Sequence, residues 1–546
     1  MRDHFDADGI LQLTRELVSI PSVTGSGREN EAAAFIHDFF RRMPYFQEHP
    51  EHLLLFPVEE AGQKRMAVLA FLRAGCDTDA TLLLNGHFDV VDTDVCGDLA
   101  GCAFDPGEYT RRMGGRVLPG EALRDLRTGN WLFGRGVMDM KCGLAMHMAC
   151  MEHRASKRAG LRSNLLFLAV PDEEGDSAGM RGSLPVLASF IARNSLDVRA
   201  ALSGEPAFWV HGPGRGTGER VFFTGTTGKV MPMFFCIGRE AHAGFCFDGL
   251  NAASIAAEIV SRMEGSPAFL DGVGGEVLPP PVCLKMKDLR DAYSVTLPEK
   301  AVAYFNVLTV TRSPAEVLEM CRNVASQALD AVVSRQKENV RAFAERAGGV
   351  GAMPDWSTRV LCIDDVARMA EPSRGELDTF MSGLPADMDA REKGIAIANR
   401  MAELAGIKGP AVIIGFLPPY YPHRINRRAT DKERRLRAVM ERLCGMAESD
   451  LGNVKLVECF TGIMDLSYMG FQGSRKELLA LAENMPGWGR IFSLPMEDLL
   501  SLDAPIASLG PAGKDAHKDT ERLELDFSLH AAPAMLDMAI DLLSGP

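Results

Sequence analysis

Two histidines and a series of carboxylates stand just beyond apolar, strand-like runs of this chain. Thr81 to Gly86 leads to His87 and Asp89, Leu165 to Val170 to Asp172, Glu173 and Glu174, Val198 to Leu202 to Glu205, and Ala504 to Gly510 to His517. The carboxyl ends of strands are where ligands bind in open α/β sheets. Taken singly, a histidine after a strand is an ordinary turn residue and a Glu-Glu pair is solvated surface. Together, two imidazoles and several carboxylates make the donor set expected for paired divalent ions, and no CxxC thiolate motif competes. Two ions about 3.5–4 Å apart need a carboxylate that bridges them. Asp139, in GRGVMDMK just before the helix-like Cys142 to His153, is the best candidate.

The elements that must position these groups alternate between helix and strand. Ile10 to Val18 and Glu31 to Arg42 have helical spacing, whereas Met66 to Leu72, Thr81 to Leu84, Leu165 to Val170 and Val198 to Leu202 are short apolar runs. That alternation predicts an α/β layer. The Gly-rich HGPGRGTG, His211 to Gly218, suits a linker. Beyond it, strand-like Lys229 to Ile237 and Ala301 to Val310 alternate with helix-like Asn251 to Met263 and Pro314 to about Ala347. Further helices are expected at Arg374 to Met381, Asp389 to Leu404 and Asp431 to Met446, with strands at Ala411 to Leu417 and Val454 to Phe460. The reading is therefore a catalytic domain of residues 1–212 and 425–546, with an inserted unit of 213–424.

The chain has 546 residues, 46% hydrophobic and 24% charged, which is ordinary globular usage with enough apolar surface for a sizeable core. Its 59 Lys and Arg against 73 Asp and Glu give a net charge of −14. That field repels phosphate backbones and anionic membranes, so nucleic acid and membrane are excluded as expected partners. The first residues, MRDHFDADGI, lack the basic start and apolar stretch of a secretory signal, and the longest apolar runs fall far short of the roughly 20 residues a bilayer span needs. Twelve cysteines are scattered without a CxxC pair and read as small hydrophobes rather than disulfide partners. The expectation is a cytoplasmic protein.

Seven segments carry a resemblance. They are LTRELVSIPSVTG (Leu13 to Gly25), NGHFDVV (Asn85 to Val91), LFGRGVMDMK (Leu132 to Lys141), VPDEEGDSAG (Val170 to Gly179), SGEP (Ser203 to Pro206), GREAHAG (Gly238 to Gly244) and GPAGKDAHKDTERL (Gly510 to Leu523). In this order they resemble the M20 family of metallopeptidases and amidohydrolases, and they cover most of the chain. The resemblance implies a dinuclear-metal aminopeptidase-like α/β domain, a mixed sheet flanked by helices, with an enlarged α+β lid or dimerisation domain inserted. It implies one divalent ion on His87, Asp139 and Glu205 and a second on Asp139, Glu174 and His517, zinc being the first choice and manganese or cobalt also suited. Asp89 would orient the His87 imidazole, and Glu173 would be the general base. His242, in the inserted unit, would stabilise the tetrahedral oxyanion. The bond from Asp139 to Met140 would be cis.

Some residues depart from the family pattern. Cys142 stands where glycine is commoner, and the loop Asp92 to Asn130 is long. Carboxypeptidase-like members place an arginine near the end of the final lid strand to hold the substrate carboxylate, whereas this chain reads GFLPPYYPHR. PADMDAREKG and PPYYPH resemble the arginine-utilisation (RocB-like) branch, with PPYY as a substrate wall. The activity implied is hydrolysis of an amide in an N-acyl amino acid or small peptide, in arginine or related catabolism. A cytosolic di- or aminopeptidase is the alternative in the same class, and a catalytically silent binding protein the alternative of another class. The family also implies a homodimer through the inserted domain.

Overall fold

The computed structural model describes residues 4–60, 63–209, 220–348, 356–450 and 454–545. Its contacts divide the chain into two units: Met1–Thr226 with Arg424–Phe471 and Glu497–Pro546, and Thr227–His423 with Gln472–Met496. The glycine-rich His211 to Gly218, and with it the expected boundary at residue 212, lies outside the described residues. Gln472–Met496, which the sequence reading leaves in the final segment, packs with the second unit. There the helix Arg475–Glu483, with Leu478 and Leu481 buried, lies against the long helix Pro314–Ala347.

The first unit is the expected mixed α/β layer. Its main sheet runs Leu53–Glu60, Gln63–Leu72, Asn164–Val170, Ala80–His87, Asp197–Ser203 and Ile506–Ser508 in spatial order. The first three are antiparallel to one another in turn, and the last four run parallel. Ala80–His87 and Asn164–Val170 are buried along their whole length, which is why their sequences are continuous apolar runs rather than alternating ones. Helices cover the sheet through apolar stripes. In Ala7–Val18, Ile10, Leu13 and Leu17 recur at helical spacing and are buried, and Asp6 caps the helix by accepting from the Gly9 N–H. Each such leucine contributes about 1.5–3 kcal/mol.

A second sheet of the same unit is not foreseen by the sequence reading, apart from the strand expected within Val454 to Phe460. Val454–Val457, Arg220–Phe223, Ala207–Trp209, Ala512–Lys514, Arg522–Glu524 and Trp131–Phe133 form it, none longer than four residues. Such strands are too short to show a period. Close packing fixes the joint between helix and sheet: a Cβ on Gly143 would lie 1.9 Å from the Gly204 carbonyl oxygen.

The second unit holds a five-stranded sheet, ordered Val282–Asp288, Lys300–Thr309, Gly228–Ile237, Ala411–Tyr421 and Arg359–Cys362. Ala252–Met263 and Pro314–Ala347 pack together against it, and Met231, Met233, Phe235 and Ile237 share a core with Ile395, Ile397 and Met401 of Ala390–Leu404. PPYY, expected as a substrate wall, continues the strand Ala411–Tyr421 and is buried. Leu417 pairs with Met231 and Tyr421 with Lys229, so the two prolines sit in a bulge where their missing N–H groups cost no ladder bond. Among the described residues no helix is long and apolar enough to cross a membrane. No disulfide joins cysteines among the described residues.

Candidate metal centre

The four parallel strands end on one edge of the main sheet, which delivers His87, the turn Asp172 to Glu174, and Glu205 side by side. The second sheet delivers the rest. Trp131–Phe133 leads to Asp139 and pairs with Arg522–Glu524, which pairs in turn with Ala512–Lys514. His517 sits in the loop of the hairpin Ala512–Glu524, and the bond from Asp139 to Met140 is cis. Asp172, Ser177, Asp515 and His517 all adopt positive φ (51° to 67°), a conformation that costs non-glycine residues energy and collects at functional sites.

Within this edge the donors converge. His87 Nε2 lies 3.4 Å from Asp139 Oδ1, 3.5 Å from Glu205 Oε1 and 3.8 Å from Glu173 Oε2. His517 Nε2 lies 3.4 Å from Asp139 Oδ2 and 2.9 Å from Glu174 Oε2. The two oxygens of Asp139 thus face two different imidazoles. His87, Asp139, Glu174, Glu205, Glu173 and His517 are brought together, as is Asp89. His242 belongs to the other unit, where it is exposed and its Nδ1 accepts from the Gly244 N–H at 3.0 Å.

Asp89 organises the edge through its carboxylate. It accepts from the backbone N–H groups of Glu173 (3.1 Å) and Glu174 (3.2 Å) and from Thr24 Oγ1 (2.8 Å), which pins the Glu-Glu turn. The nearest acceptor for His87 Nδ1 is the Asp89 backbone carbonyl at 3.0 Å, with the carboxylate at 3.5 Å. A carbonyl only accepts, so Nδ1 carries a proton, and in the neutral ring Nε2 presents the lone pair.

That lone pair is the test of whether these residues fit a metal. Nε2 is buried and makes no hydrogen bond, yet it faces three carboxylates. Donors bonded at about 2.0–2.2 Å to one tetrahedral ion stand roughly 3.4 Å apart, which is the spacing found here. The titration of the group follows from the same crowding. Burial opposes protonation of His87, but Asp139, Asp89, Glu205 and Glu173 raise its pKa well above the ordinary range. Asp139 and Glu174 push His517 up to about 10. Burial, with neighbouring carboxylates, raises Glu205 to about 8 and Glu173 well above the usual carboxylate range. Protons relieve this crowding in the chain alone, and cations among the carboxylates would relieve it in their place.

Two supporting residues escape the sequence reading. Arg135 is buried and clamps the His517 loop: Nη1 meets Glu521 Oε2 at 2.5 Å, Nη2 donates to the His517 carbonyl at 3.2 Å, and Nε donates to the Asp92 carbonyl at 3.1 Å. Asp465 is buried, its charge acts on Glu173 and Glu205, and burial raises its own pKa to about 7. A charge inside the apolar run GIMDLSYMGF is the signal for it. Cys142 is buried, and burial pushes its thiol up to about 12, so it is inert. The first arginine beyond GFLPPYYPH, Arg424, is buried on Glu433, Asp503 and the Ala504 carbonyl and is occupied structurally.

The pattern of peptidase family M20/M25/M40 matches residues 83–420. The chain is 33% identical over 544 residues to the uncharacterised protein YqjN of Bacillus subtilis (strain 168), covering 98% of this chain and 96% of YqjN. It is 27% identical over 536 residues to protein RocB of the same strain, covering 97% and 94%. In fold it is similar to the M20 family metallo-carboxypeptidase Sso-CP2 from Sulfolobus solfataricus, with a TM-score of 0.53, 12% identity, and 98% and 99% of the two chains covered.

Proposed function

The chain belongs to peptidase family M20/M25/M40, and on that premise we propose that it hydrolyses the amide bond of an N-acyl amino acid or short peptide, with Glu173 as proton carrier. The observation that carries this reading is the buried, unpaired His87 Nε2 among carboxylates, with Glu173 at its side. His87, Asp139 and Glu205 would hold one divalent ion and Asp139, Glu174 and His517 a second, zinc first, with manganese or cobalt also suited. Such ions, when bound, supply a Lewis acid that polarises the substrate carbonyl and acidifies water.

The chain's own groups do the rest. Glu173 takes a proton from the attacking water and passes it to the leaving amine. Its backbone N–H on Asp89 fixes where that carboxylate points, so adjacent glutamates can divide the two roles. His242 would donate to the oxyanion: its Nδ1 is an acceptor, so the neutral ring carries its proton on Nε2. His242→Ala is expected to lower kcat by about 10²–10³-fold with metal content unchanged.

The resemblance to the arginine-utilisation branch supports a role in arginine or related amino-acid catabolism, and cysteines buried as unbridged thiols, Cys142, Cys150 and Cys236 among them, support a cytoplasmic location. Exposed Val282, Leu284 and Met286 on the edge strand of the second unit support a homodimer through that unit. The deciding experiment incubates the metal-restored protein with a mixed pool of N-acyl amino acids and dipeptides and follows products by mass spectrometry. Wild type should cleave one class and Glu173→Gln neither. Equal cleavage by both proteins, or none by fully loaded wild type, would overturn the proposal.

A further inference from the structure

A second cluster of metal donors lies in the first unit, outside the centre described above. His49, Glu51 and His52 offer ligand atoms that all lie within 4.8 Å of one another. Glu51 Oε1 is 3.4 Å from His49 Nδ1 and 3.6 Å from His52 Nε2, close to the donor spacing of about 3.4 Å that one tetrahedral ion sets. The backbone holds these positions. His49 ends the helix Pro44–Glu48, its N–H donating to the Tyr45 carbonyl at 2.9 Å, and the His52 N–H donates to the His49 carbonyl at 3.0 Å. The two imidazoles stack with centroids 5.2 Å apart at 19°, so one ring, that of the more open His49, would turn to bring both in-plane lone pairs onto one ion.

His52 is also oriented from behind. Its Nδ1 lies 2.8 Å from Tyr45 Oη, which accepts from the Arg73 N–H at 2.9 Å. A hydrogen bond on the far nitrogen is the usual support of a ligating histidine. His49 and Glu51 are open to solvent, which leaves the remaining coordination positions to water. The guanidiniums of Arg73 and Arg158 act electrostatically on His52 and count against an ion held by charge alone. Imidazole nitrogens therefore select the ion's class.

We propose that His49, Glu51 and His52 form a separate site for a borderline first-row divalent ion, zinc above all, open to solvent and independent of amide hydrolysis. It would clamp the end of the helix Pro44–Glu48 to the start of the strand Leu53–Glu60.

The test is zinc content of the full chain, stripped with a chelator and dialysed across a series of zinc concentrations. His49→Ala should bind one equivalent fewer than wild type and hydrolyse substrate at the same rate. Tyr45→Phe should keep the equivalent at saturation but bind it about 10–100-fold more weakly. Asp139→Asn reports on the other centre, so its loss of metal leaves the His49→Ala difference in place. Identical zinc content in wild type and His49→Ala across the series would overturn the proposal.

Discussion

The His87 centre and the His49 to His52 cluster gather similar donors in opposite ways. The first draws its residues from distant segments, His517 and Glu174 being 343 residues apart, buries most of them, and holds them by Asp89 and Arg135. The second is written in four consecutive residues near the surface, with one supporting hydroxyl. Burial at the first keeps carboxylates out of water, so their charge needs a partner, a proton or a cation. Exposure at the second leaves water as an alternative partner for its donors. On the proposed roles, the depth of the first centre would serve hydrolysis, whereas the second would only bind.

The largest effect expected is at the residue that divides the two. Glu173→Gln should lower turnover by about 10²–10⁴-fold, with bound zinc unchanged. If zinc left together with activity, Glu173 would be a ligand and the assignment of the turn would change. Arg135→Lys comes next. Lysine cannot meet Glu521 and the His517 carbonyl together, so one class of metal affinity should weaken by about 10–100-fold in a chelator competition while the other is kept. Equal weakening of both classes would show that the clamp acts on the whole edge.

His147 sharpens the comparison from a third side. It is buried like His87, but neither ring nitrogen has a hydrogen-bond partner, and burial lowers its pKa from 6.5 to about 3. The unfolded chain therefore binds the extra proton between those values. Its contribution to stability is complete above pH 6.5 and is lost as pH falls toward 3. His147→Leu should flatten the decline of the unfolding midpoint between about pH 6.5 and 5, measured by thermal or urea melts. The smallest effect on hydrolysis is that of His49→Ala, none, read as an unchanged rate beside the lost zinc equivalent.

The residues of the His87 edge are legible in the sequence because strands leave apolar runs and the donors follow them within a few positions. The helices Ala7–Val18, Ala252–Met263 and Pro314–Ala347 are legible for the same reason, as a period sustained over several turns. The second sheet, apart from Val454–Val457, is not, because three- and four-residue strands carry no period, and their pairing depends on segments hundreds of residues away. Asp89 pinning the Glu-Glu turn and Arg135 holding the His517 carbonyl are hidden likewise: both act on backbone atoms, which every residue has. Gln472–Met496 is left with the final segment because its partner helix lies more than a hundred residues upstream.

The hairpin Ala512–Glu524 also has a consequence for biosynthesis. His517 leaves the ribosome more than four hundred residues after His87. At about 5–20 residues per second that delay lasts tens of seconds. Through it the nascent chain can present His87 and the carboxylates of the main sheet but not the loop that closes the set. On the proposed ligand sets, the ion that needs His517 would therefore load only after the hairpin is made, whereas His87, Asp139 and Glu205 are all present by residue 205, and translation that stops short of the hairpin would yield a protein without a complete centre.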